Sequence, residues 1–276
     1  MRFGRRFAVP LLALVVGVGL AATSTPDPPA GRRVGAAGQD SSATPAAPES
    51  VADLVYRAVS MPGGEVGHLL EIDPQSAELR VLDARDHQKT AMTAREFAGV
   101  TGAAAVINAP FFDVDGSPMG LLIVDGAGRQ ALRRADWGVF FIDARGAHIV
   151  HTRDYGRRTG VVQAFQVGPR LVVDGEVLAL KPQSARRTAI CTRADGTVLA
   201  LVVGNAVLAA DIARFLAESG CRDALNLDGG PSTQLFVKSG GVAVEVSGGT
   251  GVPVALGVFP GRPAEQRARP QAGCLR

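Results

Sequence analysis

Short apolar runs recur along most of the chain and predict a protein built mainly from β-strands. Many are bounded by Gly, Pro, Asp or Ser, which are typical of turns. They lie at residues 68–74, 78–84, 103–108, 187–192, 197–204 and 224–228, with further candidates between residues 120 and 177 and between 234 and 259. This pattern alone predicts extensive β-sheet.

Two segments have helical rather than strand spacing. In residues 93–102, Thr93 is a predicted N-cap, Glu96 its capping-box partner and Gly102 the residue that ends the helix. In the second helix, which is predicted to end at Gly220, one face carries Leu208, Ile212, Phe215 and Leu216. Together the elements predict an α+β fold with a mixed, largely antiparallel sheet and at least two helices.

The order hairpin, helix, strand occurs twice along the chain. The first unit ends at Asn108, six residues beyond Gly102, and the second ends at Asn226, six residues beyond Gly220. We interpret this as two pseudo-symmetric units that bring Asn108 and Asn226 to equivalent strand ends. Because identity between the units is slight, chance similarity is the alternative.

The ends of the chain differ in composition from its middle. Arg2, Arg5 and Arg6 precede an apolar run to Ala22, which predicts an export signal at residues 1–22 or, alternatively, an uncleaved N-terminal anchor. Residues 23–50 have the composition of a flexible linker and 261–276 that of a disordered tail. One folded domain is expected over residues 51–260.

Charge and cysteine content exclude some function classes. Residues 51–260 hold 20 of the 29 Lys and Arg and 22 of the 26 Asp and Glu, so no basic nucleic-acid-binding face is indicated. Cys191, Cys221 and Cys274 lack the spacing of a zinc site. In an exported protein they predict one disulfide and one free thiol, without indicating which pair is joined.

The segment "ALNLDGGPST" (224–233) carries the strongest candidate chemistry. Strand alternation places Asn226 and Asp228 on one face. Gly229 and Gly230 allow backbone N–H groups to approach an anion, and the hydroxyls of Ser232 and Thr233 add donors. The alternative is a Gly-rich turn, since Asp-Gly is also a common turn signal and occurs at 115–116, 125–126, 174–175 and 195–196.

Other candidate residues each have a structural alternative. Arg186 and Arg187 precede a buried strand, where a guanidinium suits phosphate, although surface Arg is common. Asp211 is a possible second carboxylate or a favourable charge at a helix N-terminus. His148 and His151 are expected on a strand surface. Motifs typical of serine hydrolases, P-loop enzymes, Rossmann dehydrogenases and zinc proteases are absent from the sequence.

Four segments, in order, resemble the phosphodiester glycosidase family: "VINAPFFDVDGSPMGLLIVDG", "AFQVGPRLVVDG", "RRTAIC" and "ALNLDGGPST". The resemblance covers roughly residues 68–259, and its most specific part is the Asn-Leu-Asp-Gly-Gly loop. The chain differs from the usual family pattern at Ala109, Pro110, Cys191 and Pro231. The resemblance implies an exported enzyme that hydrolyses sugar-1-phosphodiesters in envelope or extracellular glycans to a sugar and a phosphomonoester.

The resemblance and the residue chemistry together imply the roles at the site. Asp228 is the expected essential carboxylate, Asn108 and Asn226 orient sugar or water, and Asp211 is a weaker catalytic candidate. Arg187 is a further catalytic candidate, which would hold the phosphate. The remaining candidates would contact substrate: Arg186, Gly229, Gly230, Ser232, Thr233 and Asp113.

No cofactor is required by this scheme, although a divalent cation near Asp228 and Asp113 is an alternative. The expected partner is a phosphorylated glycan, with no nucleic acid, and with a membrane only through an uncleaved N-terminal segment. The alternatives are a non-catalytic envelope protein that binds sugar phosphates or exopolysaccharide, and a purely structural domain.

Overall fold

The computed structural model describes residues 49–51, 54–156 and 158–261. The predicted signal or anchor segment lies outside these residues, as do the predicted linker up to residue 48 and the tail from residue 262. Glu49 and Ser50, which we predicted to belong to the linker, lie in the first strand. Within the described ranges, no helix has the length and apolarity needed to cross a membrane.

The described residues form eighteen strands and three α-helices. The strands are β1 (Glu49–Val51), β2 (Leu54–Ser60), β3 (Val66–Ile72), β4 (Ala77–Asp83), β5 (Ala105–Asn108), β6 (Leu122–Val124), β7 (Ala127–Gln130), β8 (Gly138–Asp143), β9 (Gly146–His151), β10 (Gln163–Val167), β11 (Arg170–Val173), β12 (Glu176–Val177), β13 (Ser184–Arg193), β14 (Val198–Leu208), β15 (Cys221–Asn226), β16 (Leu235–Ser239), β17 (Val242–Val246) and β18 (Val254–Pro260). The helices are α1 (Ala94–Thr101), α2 (Thr152–Tyr155) and α3 (Ala209–Glu218).

The strands form three sheets. An eight-stranded sheet has the order β1-β2-β3-β14-β13-β15-β11-β12, and the two five-stranded sheets have the orders β7-β6-β10-β8-β9 and β17-β16-β5-β18-β4. All pairings between these described strands are antiparallel. The α+β prediction is therefore confirmed in a sheet-dominated form, and the expected parallel component of the sheet is wrong for this part of the chain.

One large apolar cluster draws buried side chains from all three sheets, which places the main core between them. Its fully buried members include Ile72, Ile107, Phe140, Phe165 and Ile190. Burying a side chain of this size stabilises the fold by roughly 1.5–3 kcal/mol. Since β5 and β15 both border this core, their carboxyl ends, at Asn108 and Asn226, are fixed by it.

Helix α1 begins and ends as its sequence predicts. The Thr93 hydroxyl accepts from the Glu96 N–H, and the Glu96 carboxylate accepts from the Thr93 N–H at 2.7 Å. Gly102 follows with a φ of 76°, a left-handed conformation that favours glycine. Phe97 then points into a separate cluster between the helix and its sheet.

Helix α3 differs from its prediction at the first residue. Ile212 and Leu216 are buried against the eight-stranded sheet and Gly220 follows the helix with a φ of 83°, as expected. Leu208, however, is the last residue of β14 and is partly exposed. It stays extended because it still pairs with Ser184 of β13, a long-range contact that helical periodicity cannot reveal.

A disulfide joins Cys191 of β13 to Cys221 of β15, which confirms that one disulfide forms and identifies the pair. The two strands are neighbours, and the Cα atoms of the two cysteines lie 5.8 Å apart. Cys274 lies outside the described residues. The cross-link therefore holds together the two strands that lead to the candidate site.

The two proposed repeat units differ in their strand pairing. β13 and β14 form the predicted hairpin. β3 and β4 are also joined by a turn, at residues 73–76, but β3 pairs with β2 and β14 whereas β4 pairs with β18. The first unit is therefore not a paired hairpin. Superposition of the two units stays a prediction.

Candidate active site

The Asp228-Gly229 pair does not form a hairpin turn, unlike the Asp-Gly pairs at 125–126 and 174–175. At 125–126 and 174–175 both residues have positive φ and directly join two strands, the geometry of a type I′ hairpin. The glycines at 116 and 196 also have positive φ. Gly229 instead has a φ of −125° and leads from β15 into a short 3₁₀ turn at Gly230–Ser232. Asp228 therefore occupies a loop of a different kind.

Both glycines of the Asp228 loop are needed, for different reasons. A Cβ atom on Gly229 would lie 2.8 Å from the carbonyl oxygen of Arg186, a contact that real side chains do not make. Gly230 has a φ of 59°, in the left-handed region. The loop is thus packed directly against the start of β13, which fixes its distance from the arginines of that strand.

The Asn108 side chain holds this loop in place through a hydrogen bond to its backbone. Its side chain is fully buried and donates to the Asp228 carbonyl at 2.7 Å. Its Oδ1 accepts from the Thr188 hydroxyl at 2.7 Å and from the Gln234 N–H at 3.1 Å. Asn108 therefore ties β5, β13 and both ends of the loop together. With Oδ1 occupied twice, its main observed role is to position the loop.

Sequence reasoning missed Thr188 and Gln234, both buried in this network. The Gln234 side chain accepts from the Ala94 N–H at 2.6 Å and donates to the carbonyls of Ser232 and Thr250, each at 3.2 Å. The signal that could have found them is a polar residue directly before an apolar run, since such residues must find partners when buried. Gln234 connects the candidate site to the N-terminus of α1.

The Asp228 carboxyl is half-buried, and this burial raises its pKa. A hydrogen bond with the Ser232 side chain and one from the Gly229 N–H, at 2.9 Å, favour the charged form and partly oppose the effect. Among the described residues, no cation forms an ion pair with Asp228. Such a carboxyl can exchange a proton nearer to neutral pH than an ordinary Asp.

Arg186 and Arg187 have no carboxylate partner in the described part of the chain. Arg187 is buried and donates to the Gln183 carbonyl at 2.7 Å and to Asn226 Oδ1 at 3.4 Å. Its burial lowers the pKa of the guanidinium. Arg186 donates to the carbonyls of Thr233 and Ser247, at 3.1 and 2.6 Å. Their positive charges are therefore not neutralised by the protein.

Several buried polar atoms in this region have no hydrogen-bond partner. They are Nε of Arg186, Nε of Arg187 and Oγ1 of Thr233. An unpaired buried donor costs about 1–3 kcal/mol, so such atoms are rare unless a ligand or water completes them. Two guanidinium N–H groups and a hydroxyl are the donors that a phosphate oxygen accepts well. The arrangement is therefore suited to an anionic ligand.

The loop backbone offers fewer donors than the sequence predicted. The Gly229 N–H is donated to Asp228, and those of Ser232 and Thr233 are donated to the carbonyls of Gly229 and Gly230. Pro231 has no N–H. At most the Gly230 N–H is left for a phosphate, so the arginines are the main anion ligands that this site can offer.

The remaining predicted residues lie away from these contacts. Asp211 is in the first turn of α3 and forms an ion pair with Arg214. Asp113 is exposed, and its carboxylate accepts from the Val114 N–H at 2.8 Å. In the described part of the chain, no hydrogen bond or ion pair joins either carboxylate to the Asp228 loop. Their predicted roles stay predictions.

The expectation that both histidines lie on a strand surface is wrong for His151. Its side chain is buried at the end of β9, where it caps α2. His148 is half-exposed, stacks on Phe141 and bonds Asp143. Within the described residues, no group of three or more His, Cys, Asp or Glu could hold a metal ion. A cation near Asp228 and Asp113 would need other ligands.

Comparisons with known proteins point to one family. Residues 101–259 match the model of the phosphodiester glycosidase family. The fold is similar to the catalytic domain of zebrafish N-acetylglucosamine-1-phosphodiester α-N-acetylglucosaminidase, auto-inhibited by its pro-peptide, with a TM-score of 0.57, 18% identity, and coverage of 76% of this chain and 83% of that one. The fold is also similar to that of a hypothetical protein from Synechocystis, with a TM-score of 0.51, 16% identity, and coverage of 75% of this chain and 62% of that one. No curated protein matches in sequence.

Proposed function

The chain belongs to the phosphodiester glycosidase family, and we propose that it is an exported hydrolase that cleaves a sugar-1-phosphodiester in envelope or extracellular glycans. Water adds to C1 of the sugar, the bond from C1 to the phosphate oxygen breaks, and the products are the free sugar and a phosphomonoester. The observation that carries the proposal is the pair of guanidiniums without carboxylate partners, Arg186 and Arg187, which bond Thr233 and Asn226 on either side of the half-buried Asp228 in the chain.

The two arginines match the leaving group of this reaction. The departing phosphomonoester is already a stable anion, so the reaction needs less help from a strong general acid than ordinary glycoside hydrolysis. It needs positive charge and N–H donors placed where negative charge accumulates on the phosphate oxygen. The Nε atoms of Arg186 and Arg187 are buried and unpaired, and the two guanidiniums bond Thr233 and Asn226, which suits them to this task.

We assign Asp228 two roles, one towards the attacking water molecule and one towards C1 of the sugar. As a carboxylate it removes the proton from the attacking water and stabilises the positive charge that develops at C1. Its pKa is raised by burial, so the carboxylate is more basic than an exposed Asp. The bond from Asn108 to its carbonyl holds the loop so that this carboxylate keeps its position.

Export is supported by two independent features. The N-terminal sequence has the pattern of an export signal. The disulfide between Cys191 and Cys221 is of a kind that persists in oxidising compartments and is rare in reducing ones.

The test is hydrolysis of α- and β-linked sugar-1-phosphodiesters, with the products followed by phosphorus NMR. In ¹⁸O-labelled water, the label should appear in the sugar and not in the phosphomonoester, because the C1–O bond breaks. Asp228→Asn should lower kcat by about a thousandfold or more while KM changes little. Asp195→Asn, at an exposed Asp-Gly turn, is the matched control and should keep wild-type activity.

Two results would count against the proposal. Full activity of Asp228→Asn with an intact fold would remove Asp228 from the mechanism. Binding of a phosphoglycan without turnover, unchanged by Asp228→Asn, would instead support a non-catalytic binding protein.

A further inference from the structure

A cavity of about 790 Å³ lies apart from the Asp228 loop, between the segment before β8 and helix α2. Its lining includes Leu132, Arg133, Arg134, Asp136, His151 and Arg153. No residue of the Asp228 loop contributes to it. The cavity is large enough for a sugar residue with its substituents.

The charge of this cavity is strongly positive. Asp136 is the one carboxylate in its described lining, and it already bonds His151 at 2.8 Å and lies 3.9 Å from Arg170. None of the three lining arginines forms an ion pair with a carboxylate in the described part of the chain. Their guanidiniums are therefore available to an anionic group of a ligand.

His151 forms a buried part of the cavity wall. The Arg153 backbone N–H donates to its Nδ1 at 2.9 Å, so Nδ1 is an acceptor. Its Nε2 therefore carries a hydrogen and donates a hydrogen bond to Asp136. This bond orients the Asp136 carboxylate toward His151.

Gln166 holds the arginine-bearing wall in place. Its buried side chain accepts from the Arg133 N–H at 2.9 Å and donates to the Arg133 carbonyl at 2.7 Å. It also donates to the Thr152 hydroxyl at 3.1 Å, and that hydroxyl donates to the Trp137 carbonyl. One buried amide thus ties both walls together, so the cavity is pre-organised for a ligand.

Aromatic contacts connect this cavity with the candidate active site. The Arg133 guanidinium lies 5.6 Å from the centre of the Trp137 ring, which packs on Phe111 with 5.4 Å between ring centres. Trp137 also touches Gly168, and the next residue, Pro169, accepts a hydrogen bond from the Asn226 N–H. Trp137 therefore links the arginine-bearing wall to the strand that leads to Asp228.

We propose that this cavity is a second anion-binding subsite, which takes a phosphate or carboxylate group of the acidic glycan whose phosphodiester is cleaved at Asp228. The identity of the ligand as a glycan rests on the proposed function. Anion binding by Arg133, Arg134 and Arg153 does not, and it is tested separately.

The binding test uses Trp137, the single tryptophan of the chain, as a fluorescent reporter beside the cavity. The full chain is titrated with inorganic pyrophosphate and with an oligogalacturonate, which separate phosphate from carboxylate recognition. Arg134→Gln/Arg153→Gln should weaken binding of at least one probe tenfold or more. The control Arg57→Gln/Arg145→Gln removes the same charge at exposed ion pairs elsewhere and should stay within twofold.

The proposal is overturned if neither probe changes the fluorescence, or if both double variants lose affinity equally. The second result would mean that net charge alone attracts the anion. If only one probe binds and only the cavity variant weakens it, the subsite stands and its anion class is identified.

A kinetic test joins the subsite to the reaction. Two sugar-1-phosphodiesters are compared, which differ in the alcohol that is esterified to the phosphate on the side away from the sugar. In the first this alcohol is neutral, and in the second it carries another phosphate or a carboxylate. The cavity variant should raise KM tenfold or more for the second substrate alone. An equal rise for both substrates would contradict the subsite. If the wild type cleaves neither, the proposed function fails while the fluorescence titration still decides the subsite.

Discussion

Replacing Asn108 with Ala should destabilise the fold more than any other Asn→Ala change in the described residues. Asn108 is fully buried and its side chain makes three hydrogen bonds. The substitution leaves the Thr188 hydroxyl, the Gln234 N–H and the Asp228 carbonyl without that partner. The first two belong to buried residues, whereas Asp228 is half-buried.

The size of the effect follows from the cost of unpaired buried groups. Each buried donor or acceptor left unsatisfied costs about 1–3 kcal/mol, and a partly exposed one costs less because water can replace the bond. For Asn108→Ala the two buried groups together cost about 2–6 kcal/mol, and the Asp228 carbonyl adds a smaller amount. Domains are typically stable by only about 5–15 kcal/mol, so the variant should be close to unfolding.

The assay is urea unfolding followed by the fluorescence of Trp137, with the disulfide kept oxidised. Asn205→Ala is the matched control, since Asn205 is exposed and its loss should cost less than about 0.5 kcal/mol. Asn108→Asp keeps the two accepted bonds and places a negative oxygen against the Asp228 carbonyl, so it should also destabilise. A cost for Asn108→Ala similar to that of Asn205→Ala would refute the view that Asn108 supports the loop.

Three further predictions concern stability. Removing the disulfide with Cys191→Ala/Cys221→Ala should lower the free energy of unfolding by about 3.6 kcal/mol, because the bond closes a loop with a sequence separation of 30. Reductant should not destabilise this variant further, and equal urea midpoints for variant and wild type would contradict the prediction. Thr93→Ala breaks the capping box of α1 and should cost about 1 kcal/mol in the same assay, and no change would mean that the cap does not limit stability. Burial raises the pKa of Asp228 in the folded state above the value of 3.8 that it has in the unfolded chain. The folded protein therefore loses stability as the pH rises from the unfolded pKa to the folded pKa. Asp228→Asn should therefore be more stable than the wild type near pH 7, by roughly 0.5–2 kcal/mol, and lose this advantage near pH 4; a thermal scan that shows a less stable variant at pH 7 would refute it.

Local features of the fold could be predicted from sequence, but pairing between distant strands could not. The start of α1 is set by Thr93 and Glu96, which act within one turn, and its end is set by Gly102 directly after the last turn. β18, in contrast, lies between β4 and β5, which are far from it in sequence. That pairing depends on how three sheets share one core, and no periodicity encodes it. The extended Leu208 was missed for the same reason.

The candidate site divides in the same way. Asp228, Asn226, Arg186 and Arg187 were found because charged and amide groups beside buried strands are unusual. Gln234 was missed because it looks like one polar residue at a strand edge, and its role depends on contacts 140 and 126 residues away along the chain. The arginine-lined cavity was also missed, since its walls are held together by the pairing of β8 with β9 and by side-chain contacts of His151, Gln166 and Thr152, which periodicity does not reveal.

Pro231 illustrates how the loop trades one kind of anion ligand for another. Proline at this position removes an N–H, but its fixed φ suits the first turn of the short 3₁₀ element that it occupies. Its carbonyl accepts from the Gly249 N–H at 2.7 Å, which ties the loop to the segment before β18. The segment also supplies the Ser247 carbonyl that holds the Arg186 guanidinium. A loop with few free N–H groups is thereby made rigid next to a guanidinium with an unpaired Nε. In the proposed function, phosphate recognition therefore depends on arginine position rather than on a backbone cradle.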